Sequence, residues 1–273
     1  MLTADQVKRY LERIGCAADA DRFGSGALAC DMETLSRLTF AHQCAVPFET
    51  VSIYRSGKVP CVEVDALFDK LVTRRLGGFC FELNKLFEEL LRTLGFDVRP
   101  CLCRAVRGRD GRMPINHRGI LALIDGAERF ADVGFGGPMA AGALTLVDGA
   151  EQAINDEHYT PRRGGDGWWR IDRVTRSSFD LFDDAAPVRR QTELEVCEAA
   201  VEDIDFDALN VAFSQPGTLF RDHMVVNLRT TCGHKSIMDY KLTLRENGHK
   251  RVVELADDAE LARALDEHFG MVF

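Results

Sequence analysis

The hydrophobic period of the chain changes once, near Phe96, and that change limits the architectures open to it. Before it, apolar residues recur at helical spacing: Leu2, Val7, Tyr10, Leu11 and Ile14, then Leu35, Leu38, Phe40 and Ala41, then Leu67, Phe68 and Leu71. Thr3 and Asp31 stand where helix caps are expected, and Pro47 forces a stop. After Gly77-Gly78 a stripe of Phe81, Leu83, Leu86, Phe87, Leu90 and Leu91 runs to Gly95. Beyond Phe96 the runs DVRPCLCRAV, HRGILALI, ERFADVGF and GWWRIDRV are short and strand-like, separated by Asp, Gly and Asn turns. RGRDGRMPIN is a polar loop, and 136–165, rich in Gly and Ala, carries little periodic signal. From Val188 the pattern is mixed: a short helix or turn over 204–212, strands over 223–229, 236–244 and 250–255, and a closing helix capped by Asp257 or Asp258. Helical, then β, then mixed describes an α+β protein in three parts, 1–95, 96–187 and 188–273. With 273 residues, 46% of them hydrophobic, the chain has enough apolar material for such parts around shared cores.

The charge balance, 34 Lys and Arg against 43 Asp and Glu, gives −9 and argues against a general polyanion binder, so no nucleic-acid partner is expected. No apolar run approaches the roughly 18–20 residues that span a bilayer. The N-terminal MLTADQVKRYLERIG lacks the basic-then-apolar pattern of a secretion signal, which leads us to expect a cytoplasmic protein without membrane contact. Nine cysteines at irregular spacing do not make a disulfide framework. Cys101 and Cys103, one residue apart with no second pair, do not make a zinc knuckle, and no metal is expected.

One cysteine is set apart by its neighbours. In Gly77-Gly78-Phe79-Cys80 the glycines permit a sharp turn and an amphipathic helix follows at once, so Cys80 falls in the first helical turn. Unpaired N–H groups at such an end favour the reactive thiolate. A lone cysteine there is as readily a buried small hydrophobe, so the assignment depends on its partners. A nucleophilic thiol needs a base, and the base an orienting group. If Asp125-Gly126 is a two-residue hairpin turn, His117 on one strand and Asp132 on the next become diagonal neighbours on one face, roughly 7–8 Å apart. His158, His234, His249 and His268 sit in polar or terminal contexts and read as solvated; His42 and His223 read as structural.

These residues resemble the arylamine N-acetyltransferases, including bacterial N-hydroxyarylamine O-acetyltransferases. The resemblance rests on Val46-Pro47-Phe48-Glu49, on Gly77 to Asn84, on Asn116-His117 and on Asp132-Val133-Gly134-Phe135-Gly136-Gly137, with a fainter run from Asp205-Phe206 through Asn210, Ser214, Pro216 and Phe220. It implies an N-terminal helical bundle, a central antiparallel β-barrel and a C-terminal α/β lid, with a cysteine-protease-like core. It also implies a ping-pong reaction in which acetyl-CoA, a co-substrate rather than a resident cofactor, acetylates Cys80, and an aromatic amine, hydrazine or N-hydroxyarylamine takes the acetyl group. His117 would move the proton and Asp132 hold the imidazole. The Cys80 N–H would serve the oxyanion. Phe48 and Phe135 would line the acceptor pocket, with Gly134 and Gly136 admitting ligand close to the backbone.

The chain departs from the family pattern where Leu76 replaces an arginine before the glycine pair, which leaves Glu49 either to Arg75 or without a partner. Thr50 replaces an asparagine, and Gln215 and Gly217-Thr218 stand in place of a Ser-Thr-x-Pro-like stretch. An amide synthase on the same fold, a cysteine hydrolase of the transglutaminase-like type and a non-catalytic binding protein are the competing readings.

Overall fold

In a computed structural model, which describes residues 1–137, 139–155, 157–176 and 188–273, the change at Phe96 is the change from helices to sheet. Helices α1 (Ala4–Arg13), α2 (Ala17–Gly24), α3 (Met32–Ala45), α4 (Val51–Ser56), α5 (Val64–Phe68) and α6 (Cys80–Leu94) precede it, with the two-residue strand β1 (Phe48–Glu49) between α3 and α4. Thr3 and Asp31 cap α1 and α3 through their side chains, and Gly95, at φ 104°, closes α6. The short α2 has no side-chain cap, and the sequence pattern does not reveal it. After α5 the chain runs on as a π-helical turn, Asp69–Thr73.

Strands β2 (Asp97–Ala105), β3 (His117–Ile124), β4 (Ala127–Ala131), β5 (Leu144–Thr145), β6 (Gln152–Ile154), β7 (Glu157–Arg163), β8 (Trp168–Arg176) and β9 (Val188–Cys197) form one antiparallel sheet in the order β5-β4-β3-β2-β9-β8-β7-β6. It curls nearly closed. At the seam the Gln152 amide on β6 both donates to the Thr145 carbonyl and accepts from the Thr145 N–H on β5, each at 2.8 Å. β3 is apolar almost throughout because both of its faces are covered. Leu121 joins the barrel interior with Phe130, Trp169 and Ile171, while Ile120, Ala122 and Ile124 pack in the helical core with Leu83, Leu86 and Leu90 of α6. Three strands, β5 to β7, lie in the stretch whose Gly and Ala content hides its period. β9 pairs with β2 and β8, so the change of sheet falls after Cys197 and not at 188.

The last segment holds α7 (Asp207–Phe213), α8 (Leu219–Asp222), strands β10 (Val225–Thr230), β11 (Gly233–Met238), β12 (Lys241–Glu246), β13 (His249–Glu254), and α9 (Asp258–Phe269), capped by Asp257. The run 236–244, read as one strand, is the hairpin of β11 and β12, turned at Asp239-Tyr240 with Asp239 at φ 54°. β1 completes this second sheet, in the order β1-β10-β11-β12-β13, and so ties the N-terminal part into the C-terminal one. Leu261, Leu265 and Phe269 of α9 cover one sheet face through Val226, Ile237 and Leu242. Among the described residues no helix is long and apolar enough to cross a membrane.

Candidate active site

Cys80 is the first residue of α6, at 2% exposure. The glycines before it serve close packing, not an unusual turn, since neither has positive φ. A Cβ on Gly77 would stand 2.3 Å from the Pro47 carbonyl oxygen and 2.8 Å from Glu49 Cγ. This lets the 47–49 segment lie against the helix start, where Glu49 N donates to Gly78 O at 2.9 Å and Gly78 N to Pro47 O at 3.2 Å.

The helix start is held by a buried ion cluster. Glu82 accepts from the Phe79 N–H at 3.0 Å, and Lys70 Nζ lies 2.9 Å from Glu82 Oε1 and 2.8 Å from Glu49 Oε1. Burial works against the Lys70 charge, but the two glutamates outweigh it and raise its pKa. Arg75, the one candidate partner for Glu49 near the glycine pair, is exposed with φ 55°; Leu76 is buried with Val51, Met224 and Val226. Lys70 takes the role from the π-helical turn one helical segment upstream, a relation that linear spacing does not suggest.

The hairpin turn at Asp125-Gly126 forms as expected, with φ of 52° and 73°, and Ile124 pairs with Ala127. That register carries Asp132, one residue beyond the end of β4, to His117 at the start of β3. Asp132 Oδ2 lies 2.7 Å from His117 Nε2, with both side chains buried. Burial disfavours the imidazolium, but the Asp132 charge and hydrogen bond, helped by the Cys80 sulfur beside the ring, raise the His117 pKa to about 10. The other Asp132 oxygen is held by Asn84 Nδ2 at 2.9 Å and the Gly134 N–H at 2.8 Å. Asn84 also donates to Arg118 O at 2.6 Å and accepts from Val133 N at 2.9 Å. It thereby joins the Cys80 helix to both strands. Its place one helical turn after Cys80 on the buried face was the available signal.

Phe135 is only 6% exposed. It stands edge-on to His117 with centroids 5.7 Å apart, and the Arg107 guanidinium covers it at 4.3 Å while donating to the Phe135 carbonyl at 2.6 Å. The glycines on either side of it are packed closely against other parts of the protein. A Cβ on Gly134 would meet Cys80 Cα at 2.8 Å, and one on Gly136 would meet the Phe48 ring at 2.9 Å. Phe48, Phe135, Gly136 and Asp132 line a cavity of about 680 Å³ that continues past Gln43 to the β10–β11 and β12–β13 turns. Cys80, His117 and Gly134 do not line it. His234, expected to be solvated, forms part of its wall, and burial with Arg245 and Arg229 nearby pushes its pKa down to about 4. His42 is buried between Tyr10 and Phe87, away from this site, and His223 pairs with Asp239 at 2.9 Å.

A family model described as N-acetyltransferase matches residues 31–273. An arylamine N-acetyltransferase of Escherichia coli K12 is 31% identical over 252 residues, covering 90% of this chain and 85% of its own. The solved arylamine N-acetyltransferase of Salmonella typhimurium superposes with a TM-score of 0.85 at 26% identity, over 99% of this chain and 92% of that one. A proansamycin X synthase of Amycolatopsis mediterranei is 34% identical over 135 residues, about half of each chain. Fold and relatives define an acyltransferase. The chain belongs to the arylamine N-acetyltransferase family.

Proposed function

We propose that the chain transfers an acetyl group from acetyl-CoA to an aromatic amine, hydrazine or N-hydroxyarylamine through a thioester on Cys80. The observation that carries this reading is the buried His117–Asp132 bond beside a cysteine at a helix start. An imidazolium next to the sulfur favours its thiolate. The thiolate attacks the thioester carbonyl, and the Cys80 N–H, which as the first helical residue has no intrahelical acceptor, is placed to meet the oxyanion. CoA leaves as its thiol with the proton from His117. In the acetyl-enzyme the sulfur no longer carries charge, so one support of the imidazolium is gone and neutral His117 becomes the base. It takes the proton of the attacking amine, and the Cys80 thiolate departs. Asp132 fixes the ring and stabilises its charged form throughout. Phe48, Phe135 and Gly136 form the wall where the acceptor would enter.

Initial rates with acetyl-CoA and an aniline acceptor test the reaction order. A shuttle through an acetyl-enzyme gives parallel double-reciprocal lines; intersecting lines would overturn it in favour of direct transfer.

A further inference from the structure

The segment 132–143 joins β4 to β5 and carries Asp132, Phe135 and Gly136. Among its described residues there is no helix, no strand and no backbone–backbone hydrogen bond. Side chains of other elements take the place of a ladder. Gln43 of α3 donates to Asp132 O at 2.8 Å and to Ala140 O at 3.0 Å. Asn227 of β10 donates to Gly136 O at 3.1 Å, and Arg229 donates to Met139 O. A backbone held in this way lies where its side-chain donors put it.

The middle of the segment depends on one residue of the polar loop between β2 and β3. Arg107 Nη2 donates to Phe135 O at 2.6 Å and to Gly136 O at 3.2 Å. The same guanidinium lies 4.3 Å from the centre of the Phe135 ring, which His117 meets edge-on. A Cβ on Gly137 would stand 2.8 Å from Arg107 Nη1, so the bare backbone there leaves the guanidinium its place.

Arg107 holds this position with a strained backbone. Its φ is 51°, in the left-handed region. Of the six non-glycine residues with positive φ among the described ones, Asp125, Asn155, Asp239 and Asn247 are of the types that adopt it most readily, whereas Arg107 and Arg75 are not. β9 fixes the conformation. The Val106 and Arg107 N–H groups both donate to Glu193 O, at 2.8 and 2.9 Å, and the Gly108 N–H donates to Thr192 O at 2.8 Å. An asparagine or glycine at 107 would satisfy that backbone with less strain. The arginine is exposed, so core packing does not call for it either. What it supplies is a forked cation over Phe135.

We infer that Arg107 is a positioning residue of the acceptor site: from outside the cavity it fixes the Phe135 ring and the backbone at Gly136, which line it, and so sets which acceptors fit. The inference deepens the proposed reaction and rests on it for the identity of the acceptor. Without the guanidinium the Phe135 carbonyl loses its donor and the ring loses the cover on one face. The ring then no longer presents a fixed wall to an aromatic acceptor. Hydrazine, which has no ring, does not use that wall.

Two full-length variants test this. Arg107→Asn removes the guanidinium and suits the backbone; Arg107→Lys keeps a cation near the ring without the fork. Wild type and variants are acetylated with p-nitrophenyl acetate, then discharged with aniline and, separately, with hydrazine. In Arg107→Asn the ratio of second-order discharge rates, aniline over hydrazine, should fall about fivefold, while the urea midpoint stays at or above that of wild type. Arg107→Lys should recover part of the ratio, a quantity that does not depend on how much of a sample is folded. An unchanged ratio in Arg107→Asn would overturn the inference, as would a ratio in Arg107→Lys no higher than in Arg107→Asn. A second readout needs no turnover. The His117 ring protons, beside a Phe135 ring whose centroid is 5.7 Å away, should shift in the NMR spectrum of Arg107→Asn and return toward wild type in Arg107→Lys; unmoved resonances would equally overturn it. Wild type that p-nitrophenyl acetate leaves unmodified at Cys80 contradicts the reaction itself, and the resonances then decide the role of Arg107.

Discussion

Lys70 Nζ lies 2.8 Å from Glu49 Oε1, and through this contact a π-helical turn, a two-residue strand and the start of the Cys80 helix are held together. Lys70 is the one cation within ion-pair distance of both Glu49 and Glu82 among the described residues. Removing it leaves buried carboxylates uncompensated, which costs about 3–5 kcal/mol. Lys70→Met should therefore lower the urea midpoint well beyond what a surface lysine change does. A loss under about 1 kcal/mol would show that the glutamates find other partners.

Gly134 is packed against the backbone of Cys80. With Cys80 Cα 2.8 Å and Asn84 Nδ2 2.9 Å from where a Cβ would sit, Gly134→Ala must displace one of them. We expect acetylation of Cys80 to slow by about 100-fold, the scale of a 1 Å misplacement. A rate within threefold of wild type would mean that the helix yields without disturbing the thiol.

Asn84 holds the Asp132 oxygen that His117 does not use. Asn84→Ala should slow acetylation through a mis-set imidazole, and Asn84→Asp should do so more severely, since a second carboxylate would face Asp132. Stopped-flow acetylation rates decide this. Equal rates in Asn84→Ala and wild type would make the amide a packing group.

Two histidines give stability opposite responses to pH. The His117 pKa, about 10 in the fold against 6.5 ordinarily, means that its pairing with Asp132 stabilises fully below pH 6.5 and that this contribution is lost as pH rises through about 10. For His42, burial and then Arg13 hold the ring neutral down to about 3. Between pH 6.5 and 3 the unfolded chain takes up a proton that the folded chain refuses, so stability falls as pH falls. Denaturation midpoints against pH should show the alkaline decline flattened in His117→Gln and the acid decline flattened in His42→Phe. Unchanged limbs in both variants would place the titrations elsewhere.

Much of this site was legible because its determinants are local. The turn at Asp125-Gly126 sets a register by counting, and the register delivers Asp132 to His117. The start of α6 at Cys80 follows from the apolar stripe after Gly77-Gly78. What the sequence hid depends on approach between distant segments. Gly77 and Gly134 are small because Pro47 and Cys80 press on them, which no φ preference reveals. Leu76 looked like a missing cation, yet it fills the core under the C-terminal sheet, and the cation comes from Lys70 instead. Val188–Cys197 read as the opening of a new part because no pattern along a strand states which sheet it joins. His234 read as a solvated turn residue for the same reason: its surroundings are set by cross-strand neighbours.

The thioester on Cys80 is the claim on which the rest depends. Intact-protein mass spectrometry after mixing with acetyl-CoA, without acceptor, tests it most directly. The wild type should gain the mass of one acetyl group, located by peptide mapping to Cys80 and discharged on adding an arylamine, while Cys80→Ser gains none. An acetyl group that persists in Cys80→Ser, or a wild type that stays unmodified while it turns over both substrates, would contradict the account.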